Sequence, residues 1–218
     1  MALAPRAASV SASKEQEGLR PLLLPWDLRL TAEQFALVCQ ANPDAVLELS
    51  ADGRLIPMTP TGGETGLRNS LLSARLQIWA LAAGRWLVFD SSSGFRLPDG
   101  SVLSPDAAVV GLDRWQALTS EERRGFPPLC PDLVVELASA SDGGPRGATA
   151  LRQKMAAYLA NGAQLGWVLF PEQRAVEIWR ATGGPSAEQR ERIEGAEVLE
   201  GGEVLPGLRL ELGEIWEG

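Results

Sequence analysis

Two stretches of the sequence share one pattern, a Pro-Asp pair followed by an apolar run rich in β-branched residues. They read S-P-D-A-A-V-V at 104–110 and C-P-D-L-V-V-E-L-A at 130–138. Because side chains alternate between the faces of a sheet, apolar residues at consecutive positions indicate strands that are buried on both faces. Such strands need a sheet that is covered on both sides. The pattern therefore predicts an α/β domain in which helices flank a mixed sheet.

Helix and hairpin signals precede these strands. Thr31, with Gln34 three residues later, predicts the start of a short helix. Ala51-Asp52-Gly53 predicts the turn of an N-terminal hairpin with strands at 45–50 and 54–58. The longest helical pattern covers 65–83 and ends at Gly84. Its expected core stripe is Leu67, Leu71, Ala74, Ile78 and Leu81.

The remaining elements are shorter. The patterns predict strands at 86–90, 94–97, 102–110, 133–138, 165–170 and 175–179, and two more in the C-terminal tail. They also predict a helical segment at 111–130 and a helix at about 148–160, after a glycine-rich loop at 142–147.

Several classes of protein are excluded by composition. The chain contains no histidine, which excludes a Ser-His-Asp triad, a histidine general base and every histidine-ligated zinc or iron site. Cys39 and Cys130 lie far apart, so a disulfide scaffold and a zinc ribbon are excluded too. Twenty basic and 28 acidic residues give a net charge of −8, which argues against nonspecific coating of nucleic acid. The chemistry must come from carboxylates, Lys, Arg, Ser or the backbone.

The expected layout is a disordered tail at 1–20, rich in Ala, Ser and charge, followed by one domain at 21–218. No apolar run approaches the ~20 residues that span a bilayer. The first 20 residues lack the apolar core of a signal peptide. We therefore expect a cytoplasmic protein without a membrane partner.

Glu136 stands out because it lies inside its predicted strand. Val134, Glu136 and Ala138 should share one face, and a carboxylate there is costly unless it is paired, bound to a metal or open to a wet cleft. Alternatively, Glu136 forms a structural ion pair with an arginine. Asp132, at the entrance of the same strand, is more typical of a turn residue that accepts hydrogen bonds from nearby amides.

Lys154 is one of only two lysines beside 18 arginines, the other being Lys14 in the tail. Helical spacing places Lys154 at the rim of a buried stripe that packs back on the strand of Glu136, with Asp106 on a neighbouring strand. Two carboxylates and a backbone carbonyl, that of Leu137, make a hard-oxygen site suited to Mg²⁺ or Mn²⁺. A lysine beside such an ion suits phosphodiester hydrolysis. Alternatively, Lys154 has no special role and is a lysine only by chance.

Four long motifs resemble those of one bacterial family. They are E-L-S-A-D-G-R-L-I-P-M-T-P-T-G-G-E from Glu48, F-D-S-S-S-G-F-R-L-P-D-G-S-V-L-S-P-D-A-A-V-V from Phe89, P-D-L-V-V-E-L-A-S from Pro131 and K-M-A-A-Y-L-A-N-G-A-Q-L-G-W-V-L from Lys154. In this order they resemble the Uma-two family of the PD-(D/E)xK restriction-endonuclease-like superfamily, from about Leu30 to the C-terminus. The resemblance implies a nuclease core, with Asp106 as the metal-binding Asp and Glu136 as the Glu that follows it.

The sequence departs from the superfamily pattern at two places. The lysine expected two residues after the Glu is Ala138, and the family motif offers Lys154 on the next helix instead. The histidine that many relatives carry at the start of the long helix is replaced by Thr65, which follows Glu64. Glu48 and Glu64 are both candidates for the upstream acid, and Glu48 is preferred.

Three functions compete at this stage. The first is a metal-dependent DNA endonuclease, which the intact Asp106 and Glu136 favour. The second is a catalytically silent binding or assembly module, which the acidic charge and the displaced lysine favour. The third is a phosphodiesterase for a small nucleotide. Nucleases of this superfamily often pair, so the resemblance also implies a homodimer. Arg68 and Arg75 share a helix face and are expected to contact either phosphates or Glu side chains.

Overall fold

The computed structural model describes Pro25, residues 27–139, Asp142, residues 144–181 and residues 188–218. The predicted tail at 1–20 and Gly143 of the predicted loop lie outside these residues. The helices are α1 (Ala32–Ala41), α2 (Gly63–Ala83), α3 (Leu112–Gln116), α4 (Ser120–Arg124), α5 (Pro145–Ala160) and α6 (Gly213–Glu217). The strands are β1 (Leu47–Leu49), β2 (Leu55–Pro57), β3 (Trp86–Asp90), β4 (Phe95–Arg96), β5 (Val102–Leu103), β6 (Ala107–Gly111), β7 (Leu133–Leu137), β8 (Leu165–Phe170), β9 (Ala175–Ala181), β10 (Glu188–Glu194), β11 (Val198–Glu200) and β12 (Arg209–Glu211).

A six-stranded mixed sheet forms the centre, in the order β10-β9-β8-β7-β6-β3. Strands β7 and β8 run parallel, and the other neighbours run antiparallel. Leu133, Val135 and Leu137 of β7 belong to the core that α2 and α6 cover, whereas Val134 faces the core that α5 covers. The predicted α/β fold with a mixed sheet flanked by helices is confirmed, as is the alternation along β7.

A second, four-stranded sheet has the order β2-β1-β5-β4 and holds the N-terminal hairpin. Its two strands pair antiparallel around the predicted turn, with Glu48 opposite Ile56. Helix α1 begins at the predicted cap, because Thr31 and Gln34 exchange both hydrogen bonds of a capping box.

The single strand predicted at 102–110 is wrong. The structure divides it into β5, in the small sheet, and β6, in the large one. Pro105 lies at the break and has no N–H to offer a ladder. The chain changes sheets there, and this change places Asp106 at the start of β6, where both sheets meet.

The core stripe predicted for α2 is also wrong. Leu67, Ile78 and Leu81 are 49%, 65% and 72% exposed. The face that packs on the sheet is the opposite one, and its buried residues are Thr65, Arg68, Asn69, Leu72, Leu76 and Ala80. Arg68 and Asn69 are tolerated on this face because each forms hydrogen bonds there, as described below.

Smaller differences lie toward the C-terminus. The tail has three strands instead of two, because the charged segment of β10 pairs along its whole length with β9. The segment predicted as helical at 111–130 contains two short helices, α3 and α4. In the described part of the chain, no helix combines the length and the apolar character that crossing a membrane requires.

Candidate active site

Lys154 and Glu136 meet between α5 and β7. Both side chains are largely buried, 16% and 4% exposed, and Lys154 Nζ lies 3.0 Å from Glu136 Oε1. Met155 and Tyr158 fix the register of α5 because they anchor it in the core below the sheet. The predicted approach of the Lys154 ammonium to the Glu136 carboxylate is confirmed.

Glu48 joins this pair from the small sheet. Its Oε1 lies 2.9 Å from Lys154 Nζ and accepts a hydrogen bond from the Ser104 N–H at 2.8 Å. The Ser104 carbonyl accepts a hydrogen bond from Lys154 Nζ at 2.9 Å. The ammonium therefore has three oxygen neighbours, one for each of its N–H groups.

Asp106 completes the cluster from the start of β6. Its Oδ2 accepts a hydrogen bond from the Leu137 N–H at 2.7 Å, and its Oδ1 accepts one from Asn69 Nδ2 at 2.9 Å. In an extended strand, the N–H and C=O of one residue point to the same edge. The Leu137 carbonyl therefore lies on the edge of β7 that faces Asp106.

The surroundings of these groups shift their protonation. Burial raises the pKa of the Glu136 carboxyl to about 8, because the Lys154 charge offsets burial only in part. Burial also raises the pKa of the Asp106 carboxyl, against the Leu137 N–H and the Lys154 charge. For Lys154, burial acts to lower the pKa, but the charges of Glu136 and Glu48 outweigh burial and raise it. Lys154 is therefore a cation at neutral pH.

The charges and oxygens of the cluster fit a divalent cation. The carboxylates of Glu48 and Glu136 contact the Lys154 ammonium and that of Asp106 lies nearby, and such an excess of negative charge is costly when buried. Glu136 Oε1 and Asn69 Oδ1 are buried oxygens without an aligned hydrogen bond to a described residue. A proton on Glu136 or a bound cation would relieve the excess.

The donor set fits an open Mg²⁺ or Mn²⁺ site, in which the protein supplies only some of the ligands. Within the described ranges, no group of three or more His, Cys, Asp or Glu side chains is placed to hold a metal ion. Mg²⁺ commonly binds to one or two carboxylates and keeps several waters or phosphate oxygens. Asp106, Glu136 and the Leu137 carbonyl could hold such an ion, with Lys154 at its edge.

Two other buried acids lie outside the cluster. Asp132, at the opposite end of β7, accepts hydrogen bonds from the Gly111 N–H and from Arg114, at 2.8 and 2.6 Å. This structural role is the one that its turn position predicts. Glu177 of β9 is bound by both Arg152 Nε and Nη2, and it shares the sheet face of Glu136 across Val168.

The two arginines of α2 bind protein groups. Arg68 donates to the Ile215 carbonyl at 3.1 Å and to Glu64 at 2.9 Å, and Arg75 pairs with Glu214. We expected Arg68 and Arg75 to contact either phosphates or Glu side chains, and in the structure both contact Glu side chains. Of the two candidates for the upstream acid, Glu48 lies in the cluster, whereas the Glu64 side chain is 65% exposed and is paired with Arg68.

Asn69 is the site residue that the sequence reasoning missed. It lies one helical turn after Thr65, and both are buried on the same face of α2. The family resemblance singles out position 65, and Asn69 is the residue one turn later on the same face of α2. This spacing was the signal by which Asn69 could have been found. The Ser104 carbonyl was missed because a backbone group leaves no trace in residue types.

The fold and the acidic cluster define a nuclease-like α/β protein of the restriction-endonuclease type. The family model Uma2, described as "Putative restriction endonuclease", matches residues 32–213. The chain belongs to this family, as the sequence motifs predict. No curated protein matches the chain.

The fold is similar to that of a solved structure. It is described as a putative nuclease belonging to DUF820 from Anabaena variabilis, with a TM-score of 0.66 and 16% identity. The similarity covers 86% of this chain and 98% of that chain. At this identity the comparison concerns the fold alone.

Proposed function

We propose that this protein is a nuclease that hydrolyses phosphodiester bonds of DNA with Mg²⁺ or Mn²⁺. The observation that carries the proposal is that Lys154 contacts Glu136 while Asp106 accepts a hydrogen bond from the N–H of Leu137, the residue after Glu136, so that three separate elements converge. The family to which the chain belongs is described as "Putative restriction endonuclease", which supports DNA as the substrate.

Asp106, Glu136 and the Leu137 carbonyl would hold the cation. When bound, the cation would supply Lewis-acid activation of a water and would neutralise charge on the phosphate. The site is preorganised, because the Leu137 N–H and Asn69 Nδ2 each donate a hydrogen bond to one oxygen of the Asp106 carboxylate. Pre-oriented ligands lower the cost of binding an ion.

Lys154 would act through charge. Its ammonium orients Glu136, and its side chain is the more exposed of the two, 16% against 4%. Glu48 and the Ser104 carbonyl position Lys154 and leave it charged. Placed there, a fixed ammonium would stabilise the negative charge that develops on the phosphate.

A second candidate function is a catalytically silent module of the nuclease fold. The observation that favours it is the complete set of acceptors around Lys154, because all three N–H groups face protein oxygens. An ammonium that is bound in this way reaches a substrate only after one of these contacts opens. Such a module would keep the ion pairs for stability and would bind no cation.

Calorimetric titration of Mg²⁺ and Mn²⁺ separates the two functions. For the nuclease we expect binding that is lost in Glu136→Gln and retained in Glu177→Gln. Glu177 is a matched control because it is a buried glutamate on the same sheet face with an arginine partner. The absence of carboxylate-dependent binding at millimolar cation would contradict the proposal.

Cleavage assays then identify the substrate. Plasmid DNA should be nicked or linearised in a cation-dependent reaction that Glu136→Gln abolishes and Glu177→Gln retains. Hydrolysis of a small phosphodiester such as bis(p-nitrophenyl) phosphate, without cleavage of plasmid, would favour a small-nucleotide phosphodiesterase instead.

A further inference from the structure

The N-terminal hairpin presents an exposed apolar face beside the acidic cluster. Residues paired across antiparallel strands share a face of the sheet, and Glu48 lies opposite Ile56. Val46 and Met58 continue this face two residues further on, where the Met58 N–H donates a hydrogen bond to the Val46 carbonyl. Leu49 lies on the other face, in the core that α1 covers. Val46, Ile56 and Met58, here named the hairpin patch, are 53%, 37% and 42% exposed.

The hairpin patch lies within reach of a nucleotide bound at the cluster. The Cβ atoms of paired residues in antiparallel strands are about 5 Å apart, so Ile56 starts at about this distance from Glu48. Glu48 Oε1 in turn lies 2.9 Å from Lys154 Nζ. A phosphodiester held at the cluster therefore brings the base of its own or the next nucleotide to the hairpin patch.

The charge pattern around the hairpin patch favours bases over phosphates. Residues 55–63, which form β2 and lead to the start of α2, contain no charged residue, and residues 56–63 are all exposed. The chain as a whole has a net charge of −8, so it offers little attraction to a duplex, whose binding depends on its phosphates. A single strand also offers the faces of its bases, which can be bound without a positive charge.

The burial of the cluster favours a flexible strand for the same reason. The side chains of Glu136, Glu48 and Lys154 are 4%, 5% and 16% exposed, so the reacting groups are recessed. Duplex DNA is stiff, and bending it toward a recessed site is costly. A single strand bends at each nucleotide. Where a duplex is opened locally, Ile and Met are among the residues that insert between base steps and unstack them.

We propose that the hairpin patch binds unstacked bases of single-stranded DNA while the phosphodiester of that strand reaches the cluster. The preferred substrates are then single strands and locally opened duplex rather than intact duplex. This inference rests on the proposed nuclease function and specifies its substrate class. Because negative supercoiling favours strand opening, a supercoiled plasmid should be nicked faster than the same plasmid after relaxation.

Fluorescence anisotropy with an oligonucleotide tests the binding preference. The protein is the full chain with Glu136→Gln, which should not cleave, and the probe is one mixed-sequence oligonucleotide, single-stranded or as a duplex, at one salt concentration. We expect the single strand to bind about 10-fold or more tightly than the duplex. Adding Ile56→Ser with Met58→Ser should remove most of this difference and leave duplex binding unchanged. Leu37→Ser is the matched control, because Leu37 is an exposed apolar residue of α1 and should affect neither probe.

2-Aminopurine tests the unstacking of the bases directly. The fluorescence of this base analogue rises when it leaves its stacked neighbours. Placed at successive positions of the single strand, it should brighten on binding at one or two positions. The Ile56→Ser, Met58→Ser protein should not produce this increase, whereas Leu37→Ser should.

Calorimetry keeps this inference apart from the proposed function. Ile56→Ser with Met58→Ser in the otherwise wild-type chain should bind Mn²⁺ with unchanged affinity, because neither side chain is a ligand. Absence of cation binding by the wild type contradicts the nuclease, while the anisotropy still decides the preference for single strands. Equal affinity for the two probes, or undiminished single-strand binding after Ile56→Ser with Met58→Ser, would overturn the inference. A lower mass of that variant in solution with unchanged single-strand binding would show that the hairpin patch binds a second copy instead.

Discussion

Lys154 Nζ lies 3.0 Å from Glu136 Oε1, although the two residues belong to a helix and a strand. In the superfamily pattern, the lysine stands two residues after the glutamate, on the same strand face. Ala138 occupies that position here. Helix α5 packs on this face and brings an ammonium to the Glu136 carboxylate. In this chain, the ammonium that faces Glu136 therefore comes from a helix.

Lys154→Arg should abolish cation-dependent cleavage in the proposed reaction. Three oxygens surround the ammonium, and a planar guanidinium cannot place its N–H groups on all three. We expect at least a 100-fold lower rate of plasmid cleavage. The variant should still fold, with a loss of at most about 2 kcal/mol from the larger side chain.

Two further variants make this result interpretable. Arg152→Lys alters the neighbouring ion pair with Glu177 and should retain cleavage. Lys154→Met removes the counter-charge of two buried carboxylates and should cost about 3 kcal/mol of unfolding free energy in urea denaturation. Full cleavage by Lys154→Arg would show that Lys154 has only a structural role.

The stability of the cation-free protein should fall as the pH rises through neutrality. Because burial raises the pKa of Glu136 to about 8, the folded chain keeps a proton there that the unfolded chain loses near its ordinary pKa of 4.5. Between these pH values the folded state binds more protons, so the free energy of unfolding declines with pH by up to about 1.4 kcal/mol per pH unit. This contribution is fully present below pH 4.5 and is lost as the pH passes about 8.

Glu177 provides the opposite case on the same sheet face. Burial acts to raise its pKa, but the bonds from Arg152 and the neighbouring arginine charges outweigh burial and lower it. Its contribution is present above the ordinary pKa and is lost as the pH falls through the lowered value. Denaturant titrations should therefore show a flatter profile between pH 5 and 8 for Glu136→Gln and an unchanged one for Glu177→Gln. Unchanged slopes in Glu136→Gln would contradict the raised pKa.

Asn69→Leu should weaken cation binding while leaving the ligands in place. The substitution removes the hydrogen bond to Asp106 Oδ1 and keeps the volume of the side chain. The loss of such a partner behind a ligand typically costs 10- to 100-fold in affinity. Calorimetry of Asn69→Leu beside Gln77→Leu, an exposed change on the same helix, isolates this effect. Equal affinities would mean that Asn69 does not orient Asp106.

The site was easier to predict than the helix that borders it. Glu136 was recognisable because a carboxylate inside a doubly buried strand requires a partner, and Lys154 because helical spacing placed it at the rim of a buried stripe. The core stripe predicted for α2 is wrong because the helix carries two apolar stripes, and the larger one faces outward. Arg68 and Asn69 lie on the inner face because distant groups, the Ile215 carbonyl and Asp106, satisfy them. Partners of this kind are fixed by the fold and leave no local pattern in the sequence.

Gly53→Ala should disturb the hairpin that carries Glu48. Gly53 has φ +80°, and a Cβ there would lie 2.7 Å from the Leu30 carbonyl oxygen. Gly100 has φ +88° with open space around it, so Gly100→Ala reports the cost of the backbone conformation alone, about 1–2 kcal/mol. We expect Gly53→Ala to cost more than Gly100→Ala in urea denaturation, because Leu30 must also move. If Glu48 positions Lys154 as proposed, cleavage should fall in Gly53→Ala and not in Gly100→Ala. Equal losses of stability in the two variants would rule out the close approach to Leu30 as a constraint on the hairpin.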